Sequence, residues 1–440
     1  MMQTIRKRQL TALWLRLRKN ATMLVSVVVG GCAVGALLAL FLWLLDRVTA
    51  LREQHLWLIA LLPVVAVATV WVYKRIGKAA ERGVNLAIES VHGARYLPAR
   101  MVVLAFLFSL LTHLTGGSAG REGVGVQIGA AFMHKVSRLL GLKHDMRRLF
   151  TLAGVSAGFA AIFGTPFAGA FFGLEMAYVG KLSYEAILPC FLASYSAAIT
   201  TSLLGVSHHE PALSIPTHID ARLIAVVILA AIIVGIVARL FILCVHRLKD
   251  FMSDRVPNHL LRAALLGVVL AALILVFRWE RYAGLSVWMA EAGFAGQTTI
   301  RDAAVKFLLT VLTLGVGLQG GEVTPMFGIG AALGGALGVL FGVDPALLAG
   351  LAMITVFGSA ANTPLTTIAL GIELFGTKGL PYYIAFALIA WLLVGNHSLY
   401  SSQIIVTSKY QSQRYLRHRS MTDAAGSGRL IGLWHRRRDD

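Results

Sequence analysis

Charged residues are scarce in this chain. Asp, Glu, Lys and Arg together make up 14% of its 440 residues, against 57% hydrophobic. A soluble protein carries roughly a quarter of its residues as these charges, so a water-facing exterior over this length is excluded. Mean hydropathy is +0.73. Cysteine is nearly absent: Cys32, Cys190 and Cys244 all lie in apolar runs. That excludes a disulfide framework and a cysteine metal site, and the three read as small core residues. His113, His208, His209 and His397 match no zinc-ligand spacing and read as loop or interfacial residues. No nucleophile–base pair or metal cluster stands out, so neither an enzyme nor a cofactor is expected.

Long polar stretches are also missing. The polar connections, 74–99, 143–148, 207–218, 247–258 and 278–302, leave no room for a second soluble domain. What is present instead is apolar sequence. Residues 23–45, 56–72 and 223–245 approach the roughly 20 residues that cross a bilayer as a helix, and 263–277 is a shorter run of the same kind. Lipid offers no hydrogen bonds to the backbone, so these spans are expected to be helical.

The formal net charge of +19 raises the question of nucleic acid. Its distribution answers it. Residues 1–20 carry Arg6, Lys7, Arg8, Arg16, Arg18 and Lys19 without an acid, and the tail ends in His435-Arg436-Arg437-Arg438 before two acids. Positive flanks of membrane spans stay on the cytoplasmic side. Both termini are therefore expected in the cytoplasm, with an even number of full crossings and no nucleic-acid partner. The first apolar stretch is too long for a signal-peptide core, so cleavage is not expected.

The chain repeats itself. Thr165, Pro166, Gly173 and Glu175 stand 198 residues before Thr363, Pro364, Gly371 and Glu373, and Phe159 stands 198 before Phe357. Gly120 and Glu122 stand 200 residues before Gly320 and Glu322. The expected organisation is a basic cytoplasmic segment 1–20, a membrane domain 21–408 with halves 21–205 and 220–408, and a basic cytoplasmic tail 409–440. Apolar stretches 126–140, 326–341 and 364–375 are short or broken by glycine. Broken segments at matching places in two halves point to a transporter whose site lies at the repeat interface. Gly330, Gly334 and Gly338 recur every four positions, as close helix packing requires. Gly120, Gly123, Gly320 and Gly321 instead sit where a backbone must turn tightly and expose its amides.

Helix N-termini hold anions well, because their first N–H groups are unpaired and the dipole adds partial positive charge. Glu122 is expected at such an end, inside the membrane. An ionised carboxylate there resembles a transported anion: it can occupy the anion site when charged and leave when protonated. An intramembrane acid is a functional candidate by default. The competing reading is a capping glutamate paired with Arg121. Lys306 and Arg121 are candidate partners for acids.

The run Gly120-Arg121-Glu122-Gly123-Val124-Gly125-Val126-Gln127-Ile128-Gly129 resembles the GREGPxVQIG signature of the CLC chloride channels and proton-coupled antiporters. Gly320-Gly321-Glu322-Val323-Thr324-Pro325 resembles the second-half GxFxP motif, Leu399-Tyr400-Ser401 the late motif with its anion-facing tyrosine, and 83–89 falls where the family carries GSGIPE. The resemblance covers about residues 20–410. It implies an all-α polytopic fold of inverted repeats with broken half-helices. It also implies a homodimer with one pathway per subunit, Glu122 as gating and proton-carrying glutamate, and an anion path by Gly123, Val124 and Tyr400.

Three departures stand out. The usual central serine is missing, with Val84 or Asn85 near its place. Glu322 and Thr324 replace apolar residues, and Gly-Glu-Val-Thr-Pro resembles the family's fluoride-exporting branch. Met176 follows Glu175 near the position of an internal proton-relay glutamate. The mate Glu373 favours a structural duty for Glu175, such as a helix-end hydrogen bond. Fluoride is small and strongly hydrated, and its dehydration demands close donors. The Thr324 hydroxyl, the Asn85 NH2 and the Tyr400 phenol are such donors. Glu322 reads as part of the proton path, as a residue orienting Thr324 or Asn85, or as a plain N-terminal acid. Tyr400 has the alternative of an interfacial aromatic. The expected function is fluoride/proton antiport in the cell membrane, exporting fluoride, with a chloride/proton antiporter or passive chloride channel as the alternative.

Overall fold

The computed structural model describes the backbone of residues 2–207, 213, 215–216, 220–411 and 419–420, with side chains from residue 21 onward. The basic side chains of 1–20, His208, His209 and nearly all of the tail past 411 lie outside the described residues.

Among the described residues, sixteen α-helices fall into two sets of eight. The first set is α1 (Met2–Gln54), α2 (Leu62–Val72), α3 (Val84–Val91), α4 (Arg100–Leu114), α5 (Glu122–Leu139), α6 (His144–Phe163), α7 (Pro166–Glu175) and α8 (Ile187–Leu203). The second is α9 (Ala221–Arg255), α10 (His259–Val276), α11 (Trp288–Phe294), α12 (Ile300–Val316), α13 (Val323–Phe341), α14 (Pro345–Ala361), α15 (Pro364–Phe375) and α16 (Leu380–Val394). Each helix of the first set has its counterpart eight places later. The long α1 and α9 open the halves, and the short α7 and α15 both open on Thr-Pro. Packing repeats as well: α5 on α6 and α1 on α8 match α13 on α14 and α9 on α16.

The local reasons are legible residue by residue. Pro166 and Pro364 take the first helical position, where a missing N–H costs nothing. Gly164 and Asn362 end the preceding helices in the left-handed conformation. Glycines let α5 and α6 touch backbone to backbone. A Cβ on Gly158 would stand 2.6 Å from the Gly125 carbonyl carbon, and one on Gly334 would stand 2.6 Å from that of Leu348 in the α13–α14 pair. Gly330, Gly334 and Gly338 thus serve packing. Four of the expected polar connections are partly helical instead: 74–99 contains α3, 143–148 the start of α6, 247–258 the end of α9, and 278–302 contains α11 and the start of α12. These stretches are too polar for an apolar-run criterion to register.

The halves are related by an inverting two-fold. Glu175, at the end of α7, accepts from Leu365 N at 3.0 Å and Thr366 N at 2.8 Å, at the start of α15. Glu373, near the end of α15, accepts from Phe167 N at 2.8 Å and Ala168 N at 2.7 Å, at the start of α7. The two helices therefore run antiparallel, each capping the other. The duty of the Glu175/Glu373 pair is structural. Eight helices are long and apolar enough to cross a membrane among the described residues. The peripheral helices turn exposed Trp43, Val64, Ile199, Leu240, Val269 and Leu388 outward, as a lipid-facing surface requires.

Glu373→Ala leaves two amides of α7 without an acceptor, and an unmet buried donor costs about 1–3 kcal/mol. This variant should melt at lower temperature in detergent than the parent. Glu373→Gln, which keeps one oxygen, should fall between them. Equal melting of all three would mean that the reciprocal caps contribute nothing to stability.

Candidate functional site

The N-termini of α5 and α13 meet at the centre of the molecule. The turns before them pair as a short antiparallel bridge. Gly120 N donates to Gly321 O at 2.5 Å, and Gly321 N donates to Gly120 O at 2.6 Å. A Cβ on Gly321 would stand 2.6 Å from Gly123 N and 3.1 Å from Glu122 N. Only glycine permits two backbones to cross at this distance.

Glu122 is buried at that crossing, with 1% of its surface exposed. Its Oε2 accepts from its neighbour Arg121 N at 3.1 Å and from Thr324 N, in the first turn of α13, at 3.0 Å. Its Oε1 accepts from the Thr324 hydroxyl. Arg121 Nε stands off at 3.8 Å. The carboxylate thus sits on the positive end of the partner helix, held by backbone amides and one hydroxyl more closely than by its neighbouring guanidinium. This is an anion-binding geometry occupied by a side chain.

Below the crossing lies a chamber of about 150 Å³. Asn85, Gln127, Lys249, Glu322 and Tyr400 line it, together with Val84 and Gly320. Glu322 stands immediately before α13 without a side-chain capping bond, and lies beside the buried Tyr400 hydroxyl and within the field of Lys249. One of its oxygens, Oε1, is buried without a hydrogen bond, as is Gln127 Oε1. The chamber shares Glu81, Arg82, Lys249 and Gln319 with a wider cavity of about 430 Å³, which adds Lys74, Asp250, His259 and Arg262. A third cavity of about 550 Å³ opens on the opposite face, where Asp46, Glu53 and Glu280 outnumber Arg52 and Arg281.

Comparison with known proteins identifies the family. The model of the voltage gated chloride channel family matches residues 64–395. The chain belongs to the CLC family. It is 36% identical over 383 residues to a chloride/fluoride channel protein of Pseudomonas syringae pv. tomato, covering 86% of this chain and 85% of that one. A solved CLC-type fluoride/proton antiporter superposes with a TM-score of 0.85 at 33% identity, covering 87% of this chain and 98% of the other. A slow cyanobacterial Cl−/H+ antiporter shares the fold at a TM-score of 0.74 and 21% identity.

Within this CLC chain the expected site residues divide between two places. Glu122, Gly123 and Thr324 belong to the crossing, whereas Val124 packs in an apolar cluster with Ile128 and Ile162. Asn85, Glu322 and Tyr400 belong to the chamber. Thr324 faces the Glu122 carboxylate in this state, and Glu322 approaches Tyr400 and Lys249 instead of Thr324 or Asn85. The expectation for His113 needs correction. It is fully buried, with its ring nitrogens 2.8 Å from Ser109 O and 3.1 Å from Ala119 O, so it anchors the turn that leads into Gly120. His397 is exposed in a loop, as expected. Lys306 pairs with no acid among the described residues but donates to Tyr282 O, Gly284 O and Ser286 Oγ at 3.1, 2.6 and 2.9 Å. Lys249 and Gln127 line the chamber; Lys249 carried no signal in the sequence, and Gln127 stood in the Gly120–Gly129 motif without an assigned role. Each lies more than 70 residues from Tyr400 or Glu322, and only folding brings them together.

Gly321→Ala should reduce anion flux by about tenfold or more and lower thermal stability, since its Cβ meets backbone that cannot yield. Gly328→Ala, on the helix that follows, has nothing closer than 3.6 Å around its Cβ and should be tolerated. Liposome flux and melting of the two variants check this; equal behaviour would remove the steric argument.

Proposed function

We propose that this protein is a fluoride/proton antiporter of the CLC family, in which Glu122 gates the anion path and carries the proton. The observation that carries the reading is the Glu122 carboxylate in its cradle of Arg121 N, Thr324 N and the Thr324 hydroxyl. A free anion offered the same donors competes with it. Protonation removes the charge that the helix end attracts, so the side chain leaves with its proton and the anion takes its place.

Selectivity follows from the donors. Chloride tolerates soft contacts, whereas fluoride requires short hydrogen bonds to replace its water. The Thr324 hydroxyl, with the Asn85 and Tyr400 donors in the adjoining chamber, supports the smaller halide, and so does similarity to proteins described as fluoride transporters. Glu322, beside Tyr400 and within the field of Lys249, is assigned the proton exchange with the chamber. The chamber's wide mouth, with Lys74, Arg82, Lys249 and Arg262, is assigned to the cytoplasm, since basic residues are retained there. Its positive field draws anions inward, and the acidic cavity of the opposite face lies outside. Fluoride is exported against proton uptake, and both termini lie in the cytoplasm. Crossing, chamber and both mouths are built from one chain, so each subunit of a homodimer has its own pathway.

Purified protein in liposomes should pump protons against their gradient when a fluoride gradient is imposed. Fluoride flux without proton movement would instead indicate a passive channel, and equal or faster chloride transport would indicate a chloride-type relative. Glu122→Gln should abolish proton movement; a variant that stays fully coupled would remove Glu122 as carrier. Thr324→Ala should lower the fluoride-to-chloride preference, and an unchanged ratio would exclude the hydroxyl as a ligand.

A further inference from the structure

Asn85 and Tyr400 come from distant parts of the chain, yet one network ties them together. Tyr400 sits on the strap 398–403 between α16 and the short strand β2 (Ile404–Ile405), which pairs in parallel with β1 (Tyr178–Val179). Gln403 pins the far end of the strap, donating to Met176 O at 3.0 Å and Ala361 O at 2.9 Å. The middle of the strap is held by α3. Ser402 N donates to Asn85 Oδ1 at 3.0 Å, and Ser402 Oγ donates to Glu89 Oε1 at 2.7 Å. Glu89 lies one helical turn beyond Asn85, so both side chains leave the same face of α3. Arg82 pairs with Glu89 Oε1, and Arg95 Nε lies 3.3 Å from its Oε2. Arg82 also lines the chamber.

The polarity of this network matters. An amide side chain can present either its oxygen or its NH2 to a ligand, and the two differ little in shape. The Ser402 N–H is a fixed donor, so it accepts only the carbonyl end of Asn85. With that oxygen engaged, the NH2 group has no protein partner among the described residues and is left for the chamber. A flipped amide would set a carbonyl lone pair against an anion and strand the Ser402 amide.

We propose that Glu89 is a positioning residue for anion selectivity. By holding Ser402 it fixes the Asn85 amide with its NH2 toward the chamber. This rests on the reading of Asn85 as an anion contact. Glu89 does not touch the anion itself.

The test is a double-mutant cycle on fluoride flux in liposomes, with chloride flux measured in parallel. Glu89→Gln and Ser402→Ala should each raise the KM for fluoride on the chamber side by about three- to tenfold, with kcat and proton stoichiometry little changed. Ser402→Thr keeps the hydroxyl and should restore the parent KM. In an Asn85→Ala background neither Glu89→Gln nor Ser402→Ala should add a further loss. Should Glu89→Gln fail to fold, Ser402→Ala asks the same question by deleting one hydroxyl. Full additivity with Asn85→Ala, or a loss of kcat at constant KM, overturns the proposal. A silent Asn85→Ala overturns the anion-contact reading and the Glu89 role with it, which sets that failure apart from additivity.

Discussion

Two helix N-termini facing each other across a pair of glycine turns form the constraint on which the rest of this structure depends. Like ends of dipoles repel, and each end leaves amides unpaired. Inside a membrane domain such an arrangement persists only with negative charge or hydrogen-bond acceptors placed between the ends. The Gly120–Gly321 bridge satisfies two amides, and the Glu122 carboxylate satisfies Thr324 N. The remaining positive field is what an anion would meet. In this reading the gate is a built-in substitute for the substrate, and the cradle is never left without a negative partner.

The inverted repeat is what brings those ends together. A single half offers one broken helix ending in the membrane, with no partner to cancel its exposed amides. Joining two halves by a two-fold places the equivalent ends in contact, and reciprocal caps by Glu175 and Glu373 close the equivalent problem at α7 and α15. The same symmetry thus yields a structural solution at one pair of helices and a candidate functional one at another. The difference is the residue at the crossing. Glu175 and Glu373 each cap two consecutive amides of the partner helix. Glu122 and Glu322, although equivalent in sequence, do different things: one closes the cradle and the other faces the chamber beside Tyr400.

The chamber shows how polar side chains are kept in order within an apolar domain. Its donors come from α3, α9 and the strap after α16, and those of α3 and the strap are fixed by bonds to residues outside the chamber wall. Tyr400 is held through Ser398, and Asn85 through Ser402. Charge is distributed unequally between the two mouths. The wide mouth carries more basic than acidic side chains, and the opposite cavity more acidic than basic ones.

Much of this was legible in the sequence because it rests on local or repeated patterns. Apolar runs require spanning helices, since lipid leaves backbone groups no other partner. The 198-residue offset gave the repeat, and the flanking glycines marked Glu122 as an acid at a helix end. Thr324, Asn85 and Tyr400 were readable as donors from their chemistry. Tertiary structure alone decided which donor faces which partner: Thr324 toward Glu122, and Tyr400 toward Glu322. It decided that His113 is a buried anchor, that Lys306 is held by carbonyls, and that Lys249 closes the chamber. Those assignments depend on contacts between residues far apart in the chain. A composition or period along the sequence specifies which face of a helix is apolar, but not which distant polar group will meet it once the halves are packed.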